Sequence, residues 1–306
     1  SNGDVFFSSS LVKRIYEYYQ SPQIDLLVND DTLSIAKLIP NVKKIHQFSY
    51  KDKKNRRWSQ ERKLIKKIFR KYDLSINLTA SDRSVMYSLF AGKKTISAVE
   101  KKHSKSWWKK FLLSHYYFFD NSNHILVNNL KALNYLNISY ERIHNPIDIS
   151  TDATNNVKKK LKENEVDKFI IFHPTTQYEY KVYPQDLRDT LLNNLSKIGI
   201  KVLITGGNSS IDLKIKTQIP SLPNVVDFIG ETTIEEYLSL SNLALAYIGM
   251  DTLNMHIAAS QNRRIFAIFG PTKLQMWSPW SNELGISATE DKSLQTYGKN
   301  TIFQAD

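Results

Sequence analysis

The chain has no cysteine among its 306 residues, which excludes a disulfide scaffold, a thiolate zinc site and a cysteine nucleophile together. It has no uninterrupted apolar run near the roughly 18–20 residues that a bilayer span needs. It also lacks a basic segment followed by an apolar one, as a secretory signal would have, so the sequence predicts a soluble cytoplasmic protein. No fixed-period repeat and no low-complexity tract interrupts it. What it does have is apolar content and length. Hydrophobic residues make up 41%, enough for full cores, and at roughly 100–200 residues per domain the length predicts two domains.

Acidic side chains are in deficit, with 30 Asp+Glu against 42 Lys+Arg and a net charge of +12. The deficit is local. Residues 1–150 carry 26 basic and 13 acidic side chains while residues 151–306 carry 16 and 17, so the halves stand at +13 and −1. A field of that sign attracts a polyanion: nucleic acid, an anionic membrane surface or a phosphorylated substrate. A solvated basic face with no partner accounts for the charge equally well.

Short apolar, β-branched runs alternate with amphipathic stretches. Strands are predicted at Ile24–Val28, Leu74–Leu78, Thr95–Val99, Ile125–Val127, Phe169–Phe172, Val202–Thr205, Val225–Ile229, Leu243–Ile248 and Ile265–Phe269. Helices are predicted at Leu11–Tyr19, Gln60–Lys71, Asn128–Leu136, Gln185–Lys197, Ile211–Gln218, Ile234–Ser241 and Leu253–Ala259. Such alternation implies an α/β fold with parallel sheets covered on both faces. The polar stretch between about Arg142 and Asp167 reads as a connection leading into a helix, giving domains at 1–147 and 148–306. In doubly wound sheets ligands bind at the carboxyl ends of strands, so a cleft between the two domains is the expected active site.

Four stretches carry chemistry. Gly3-Asp4 before a helix offers a tight turn and a carboxylate at a helix N-terminus, although an ordinary cap explains the pair too. His173-Pro174-Thr175-Thr176, with Lys181 before the next helix, brings hydroxyls and a cation to a loop leaving a strand, as a diphosphate requires. Thr205-Gly206-Gly207 ends a strand, where paired glycines would let a ligand approach and Asp212 would accept from ribose hydroxyls. It is neither Gly-x-Gly-x-x-Gly nor a Walker loop, which disfavours dinucleotide and P-loop readings. Finally, Gly249-Met250-Asp251-Thr252 opens a helix whose free N–H groups would face departing diphosphate, with His256 four residues after Thr252 on nearly the same face.

These stretches, with Ile76-Asn77-Leu78 and Phe269-Gly270-Pro271-Thr272, run in an order that resembles glycosyltransferase family 9, the ADP-heptose:lipopolysaccharide heptosyltransferases. The likeness spans essentially the whole chain. Lys71–Leu74, Asn77–Thr79, Ser106–Lys110 and Trp277–Asn282 look most like the heptosyltransferase III branch. The family often carries Gly-Pro where Leu253-Asn254 stands and Arg where Gln177 stands; it also leads one to expect an apolar strand ahead of Gly3 and a longer segment after Asp306.

The resemblance implies a GT-B fold of two Rossmann-like domains, the first binding the acceptor and the second the nucleotide sugar. It implies inverting transfer of L-glycero-D-manno-heptose from ADP-heptose to the inner core of lipopolysaccharide. Asp4 is then the general base, Lys181 the diphosphate ligand, and Thr175, Thr176, Gly206, Gly207, Gly249, Asp251, Thr252 and His256 the donor site, with Asp212 near the ribose. No Asp-x-Asp triplet is present to hold a metal, so no metal and no cofactor are expected. The basic first half would face acidic glycolipid on the cytoplasmic side of the inner membrane of a Gram-negative bacterium. There Lys101, Lys102, Lys105, Trp107, Trp108, Lys109 and Lys110 mix cations with aromatics as a peripheral contact would, though Trp107 and Phe111 at helical spacing would also suit a core face. A family relative with another nucleotide sugar or heptose position is the alternative. A nucleic-acid-binding protein is the remote one, and it leaves the Asp251–His256 stretch without a purpose.

Overall fold

The computed structural model describes residues 1–50, 53–101, 106–282, 286–287, 294–297 and 300–304. The chain divides into two compact units, Ser1–Glu141 and Arg142–Asp306, a few residues ahead of the expected boundary at 147. No helix among the described residues is long and apolar enough to cross a membrane.

The first unit runs α1 (Asn2–Phe7), α2 (Ser9–Tyr18), β1 (Ile24–Asn29), α3 (Leu33–Ala36), β2 (Val42–Phe48), α4 (Lys53–Ile68), β3 (Tyr72–Asn77), α5 (Asp82–Ala91), β4 (Gly92–Val99), α6 (Trp107–Leu112), β5 (His115–Phe118) and α7 (Ile125–Leu130). β1 and β2 pair parallel, as do β3, β4 and β5 in that order. The run Ile125–Val127 is helix α7, not a strand. The His124 side chain caps it by accepting the Leu126 N–H at 3.2 Å, and burial of Ile125, Leu126 and Leu130 outweighs the β-preference of a branched run. Strand β2 went unforeseen because Lys43, Lys44 and Gln47 break its apolar pattern.

The second unit runs α8 (Thr151–Glu163), β6 (Phe169–His173), α9 (Gln185–Leu195), β7 (Lys201–Gly206), α10 (Ser210–Lys216), β8 (Val225–Ile229), α11 (Ile234–Leu243), β9 (Ala246–Met250), α12 (Leu253–Ser260), β10 (Arg264–Phe269), α13 (Leu274–Trp277), β11 (Trp280–Ser281), β12 (Ile286–Ser287), β13 (Leu294–Tyr297) and β14 (Asn300–Gln304). Seven strands form one sheet in the order β13-β14-β10-β9-β6-β7-β8, parallel throughout except β13. Ile170, Phe172, Val202, Ile204, Leu192 and Ile215 pack together against it. Because β6 is buried along its whole length, it reads as a continuous apolar run, as central parallel strands do.

This order places the site. From β6 the chain moves outward through β7 and β8, then returns to β9 on the other flank of β6. The connections after β6 and β9 therefore diverge, and a crevice opens beyond the carboxyl ends of these two strands. The strands approach closely there: a Cβ on Gly249 would lie 2.4 Å from the His173 carbonyl oxygen, so only glycine fits at the end of β9.

Candidate active site

Loops leave the carboxyl ends of β6, β9 and β10, and they bring Lys181, Asp251 and Thr272 together. Lys181 ends a 3-10 turn after β6. Its Nζ donates to Thr272 Oγ1 at 2.7 Å and lies 3.8 Å from the Asp251 carboxylate. Burial pushes the Asp251 carboxyl up, opposed by a hydrogen bond from Thr272 and the Lys181 charge. Thr272 thus ties the loop after β10 to the loops after β6 and β9. It stood in the Phe269–Thr272 stretch without being assigned a role. The signal was a hydroxyl two residues past a glycine at a strand end.

Thr252 is the N-cap of α12 in an extended conformation, and its side chain makes no capping bond. The first-turn N–H groups are therefore not engaged by the cap, and the positive end of the helix dipole lies beside Lys181's partner Asp251. A cation and a helix N-terminus so close suit a diphosphate, and the Asp251 carboxylate suits sugar hydroxyls. A Cβ at Gly270 would meet nothing within 4 Å, so the backbone in this loop has open space next to it. Gln304 from β14 braces the loop, its amide donating to the Gly270 and Thr272 carbonyls at 3.3 Å each.

A second network lies beneath. The His173 ring pairs with Thr205 Oγ1 at 2.9 Å and Thr175 Oγ1 at 3.2 Å, and the Asn254 amide nitrogen sits 3.1 and 3.2 Å from its two ring nitrogens. Asn254, where the family often has proline, thus uses its side chain to tie α12 to β6. Thr176 donates to the Tyr178 carbonyl at 2.7 Å. Neither Asn254 nor His173 was singled out from sequence for this role.

The glycines at 206 and 207 make room for neighbouring side chains. A Cβ on Gly206 would meet Thr175 and Asp212 side-chain atoms at 3.0 Å each, and one on Gly207 would meet Asp212 Oδ2 at 3.2 Å. Asp212 does not reach out for ribose. It is buried, and it caps α10 by accepting from Ser209 N–H at 2.8 Å and Ser209 Oγ at 2.5 Å. Burial alone would raise its carboxyl, but hydrogen bonds from Ser209, Thr175 and Gly207 overcome that and hold it below the ordinary range. The Ser-x-x-Asp spacing of a capping box was visible in Ser209–Asp212. His256 is also interior, 4% exposed, with its ring 6.3 Å from that of Trp277.

Burial drives the His173 imidazole down to about 4, against the pull of the Asp212 carboxylate. The unfolded ring takes up its proton near 6.5, so between pH 6.5 and 4 the unfolded state binds more protons. The stabilisation is complete above this window and is lost as pH falls through it, by roughly 3 kcal/mol. Urea unfolding from pH 7 to pH 4 is expected to show a steeper loss for wild type than for His173→Gln. Parallel curves reject a neutral buried imidazole.

In the first unit, Asp4 lies in the first turn of α1 rather than in a turn before a helix. Its side chain is 42% exposed, and Oδ2 accepts from the Ser1 hydroxyl at 3.0 Å. Lys102 and Lys105 lie outside the described residues, and Lys101 is exposed. Trp107 and Phe111, one turn apart on α6, are 72% and 82% exposed, so neither faces the core. Trp108 packs inward with Val85, Val99 and Leu113. Lys109 does not face outward: it is 4% exposed and donates to the Ala80 carbonyl at 2.6 Å while pairing with Asp82 at 2.7 Å. Burial of a lysine demands such partners, and they come from the start of α5, out of sight of local sequence. Lys110 turns over the Phe118 and Tyr116 rings at 5.2 and 6.0 Å.

The family model described as glycosyltransferase family 9 (heptosyltransferase) matches residues 61–305. The chain belongs to glycosyltransferase family 9. This glycosyltransferase is similar to lipopolysaccharide heptosyltransferase 3 of Escherichia coli, at 23% identity over 92% of the chain and 85% of the relative. The K12 strain's protein of the same name is 24% identical over 92% and 84%. Among solved structures, the family 9 glycosyl transferase of Veillonella parvula superposes with a TM-score of 0.79 at 15% identity, covering 100% of this chain and 83% of that one. Escherichia coli heptosyltransferase WaaC with ADP superposes at 0.75 with 13% identity, covering 100% and 91%. These likenesses establish the GT-B type of α/β fold.

Proposed function

We propose that this glycosyltransferase moves L-glycero-D-manno-heptose from ADP-heptose to the inner core of lipopolysaccharide, adding the third, side-branch heptose with inversion and without a metal. The observation that carries the reading is the meeting of Lys181, Thr272 and Asp251 beside the start of α12. The heptosyltransferase 3 relatives support the choice of sugar and position.

In this reading the acceptor hydroxyl gives its proton to Asp4 as it attacks the anomeric carbon. ADP leaves with growing negative charge, which Lys181 and the first-turn N–H groups of α12 counter. Thr272 holds the ammonium in place, and Asp251 receives donor hydroxyls. The first unit meets the cytoplasmic face of the inner membrane, with Trp107, Phe111 and Leu112 in the headgroup region and Lys101 near anionic lipid.

Thermal-shift measurements with ADP, UDP, GDP and CDP test the donor. Only ADP is expected to raise the melting temperature strongly, a ligand at 100 times its Kd adding about 2.7 kcal/mol. A larger shift with another nucleotide moves the chain to a different donor, and no shift with any of the four rejects the diphosphate site.

A further inference from the structure

The first unit carries a groove of about 510 Å3 that the transfer chemistry does not use, lined by residues including Lys110, His115, Tyr116, Phe118, Lys131 and Tyr135. We propose that this groove is a saccharide subsite for the acceptor, taking a sugar that bears phosphate or carboxylate; this rests on the reading of the chain as a transferase acting on an acidic glycolipid.

Two kinds of group converge there. The first is flat and apolar. His115 and Tyr135 stack at 5.0 Å with 21° between their planes, and Tyr116 and Phe118 meet edge to face at 5.7 Å. Phe118 is 38% exposed and Tyr135 42%. Partly exposed aromatic rings suit a pyranose, with an apolar body and a polar periphery.

The second is cationic. The Lys110 ammonium is held over the Phe118 and Tyr116 rings. Lys131 Nζ donates to the Phe118 carbonyl at 3.3 Å and Asn128 Oδ1 at 3.0 Å. Neighbouring lysines are neutralised directly, Lys93 by Asp73 and Lys109 by Asp82. Among the described residues, neither Lys110 nor Lys131 has such a carboxylate. Asp120 feels the Lys131 charge, but its Oδ1 accepts from the Ser122 hydroxyl at 2.7 Å and backbone N–H at 2.9 Å, and its Oδ2 from the Asn123 amide at 3.2 Å. Two ammonium groups without a carboxylate in ion-pair contact, flanking aromatic rings, suit an anionic, ring-shaped ligand.

The same hydrogen bonds argue against an added peptide strand. Tyr135 Oη donates to the Tyr116 carbonyl at 2.5 Å, and Lys131 occupies the Phe118 carbonyl. Alternate acceptors along β5 are therefore taken by side chains, which leaves a visiting strand no complete ladder. The proposed membrane contact has a different place, on the Trp107 and Phe111 face of α6.

Calorimetric titration of the full chain with phosphorylated inner-core oligosaccharide, freed of its acyl chains, tests the subsite. Lys110→Glu and Phe118→Ser are each expected to raise the Kd about tenfold, and the dephosphorylated saccharide is expected to bind wild type correspondingly less tightly. The thermal shift given by ADP reports that each variant is folded, since ADP is assigned to the other unit. Unchanged affinity in both folded variants overturns the subsite while leaving the transferase reading standing. Displacement of the saccharide by phosphatidylglycerol vesicles free of sugar overturns it as well, assigning the groove to bulk headgroups. Failure of wild type to bind ADP overturns the transferase reading on which the subsite rests.

Discussion

Asp4→Ala is expected to lower kcat by about 10²–10⁴-fold, the range that a positioned general base contributes, while ADP raises the melting temperature as it does in wild type. The acceptor hydroxyl is a very weak acid and must lose its proton as the new bond forms, so a proton acceptor at the attacking oxygen lowers the barrier directly. Asp4 is suited to the task because its carboxylate is exposed on the first turn of α1. The same helix buries Phe6 and Phe7, each 1% exposed. Truncating Asp4 therefore leaves the packing of α1 in place, and a loss of turnover is not a loss of fold. Asp4→Asn separates charge from shape: it keeps the size and the hydrogen-bonding capacity but cannot take the proton. Equal losses in the two variants support the base, whereas an asparagine variant with wild-type turnover rejects it.

Lys181→Ala is expected to lower kcat by about 10²–10³-fold, as removal of one preorganised group facing developing negative charge does, and to weaken ADP binding. The effect is large because the ammonium is already in place before the substrate arrives. Thr272 Oγ1 fixes it at 2.7 Å and Asp251 stands at 3.8 Å, so little reorganisation accompanies departure of the diphosphate. Thr272→Val removes the fixing hydroxyl at nearly constant volume and is expected to give a smaller loss, seen mainly in kcat. Single-turnover kinetics with titration of ADP separates the two effects. If Lys181→Ala transfers sugar at the wild-type rate, the ammonium is not at the leaving group.

Much of the second unit was legible because its strands read as short apolar runs, those of β6 and β7 from burial on both faces: Phe169–Phe172, Val202–Thr205 and Ile265–Phe269 all fall within observed strands. Helix starts were legible where a capping residue marks them, as at Ser209 and Thr233. The first unit was harder. β2 carries lysines on a two-stranded sheet, and Ile125–Val127 forms a helix because the burial of its face decides over local preference. Within the site, Lys181 and Asp251 were visible as charged residues in strand-end loops. Their link through Thr272 was not, since the hydroxyl comes from 91 residues away in sequence. Lys109 and Asp212 are each satisfied within the protein: the Ser209 partner of Asp212 is marked by local spacing, whereas the Asp82 partner of Lys109 appears only in the folded positions.

The brace that Gln304 gives the Gly270–Thr272 loop has a kinetic corollary for synthesis. Strand β14 follows that loop by some thirty residues yet lies parallel and directly beside β10, from which the loop emerges. A growing polypeptide therefore delivers the loop from the ribosome before the residue that steadies it. Capture of nucleotide by nascent protein should lag behind collapse of the preceding strands until β14 has docked.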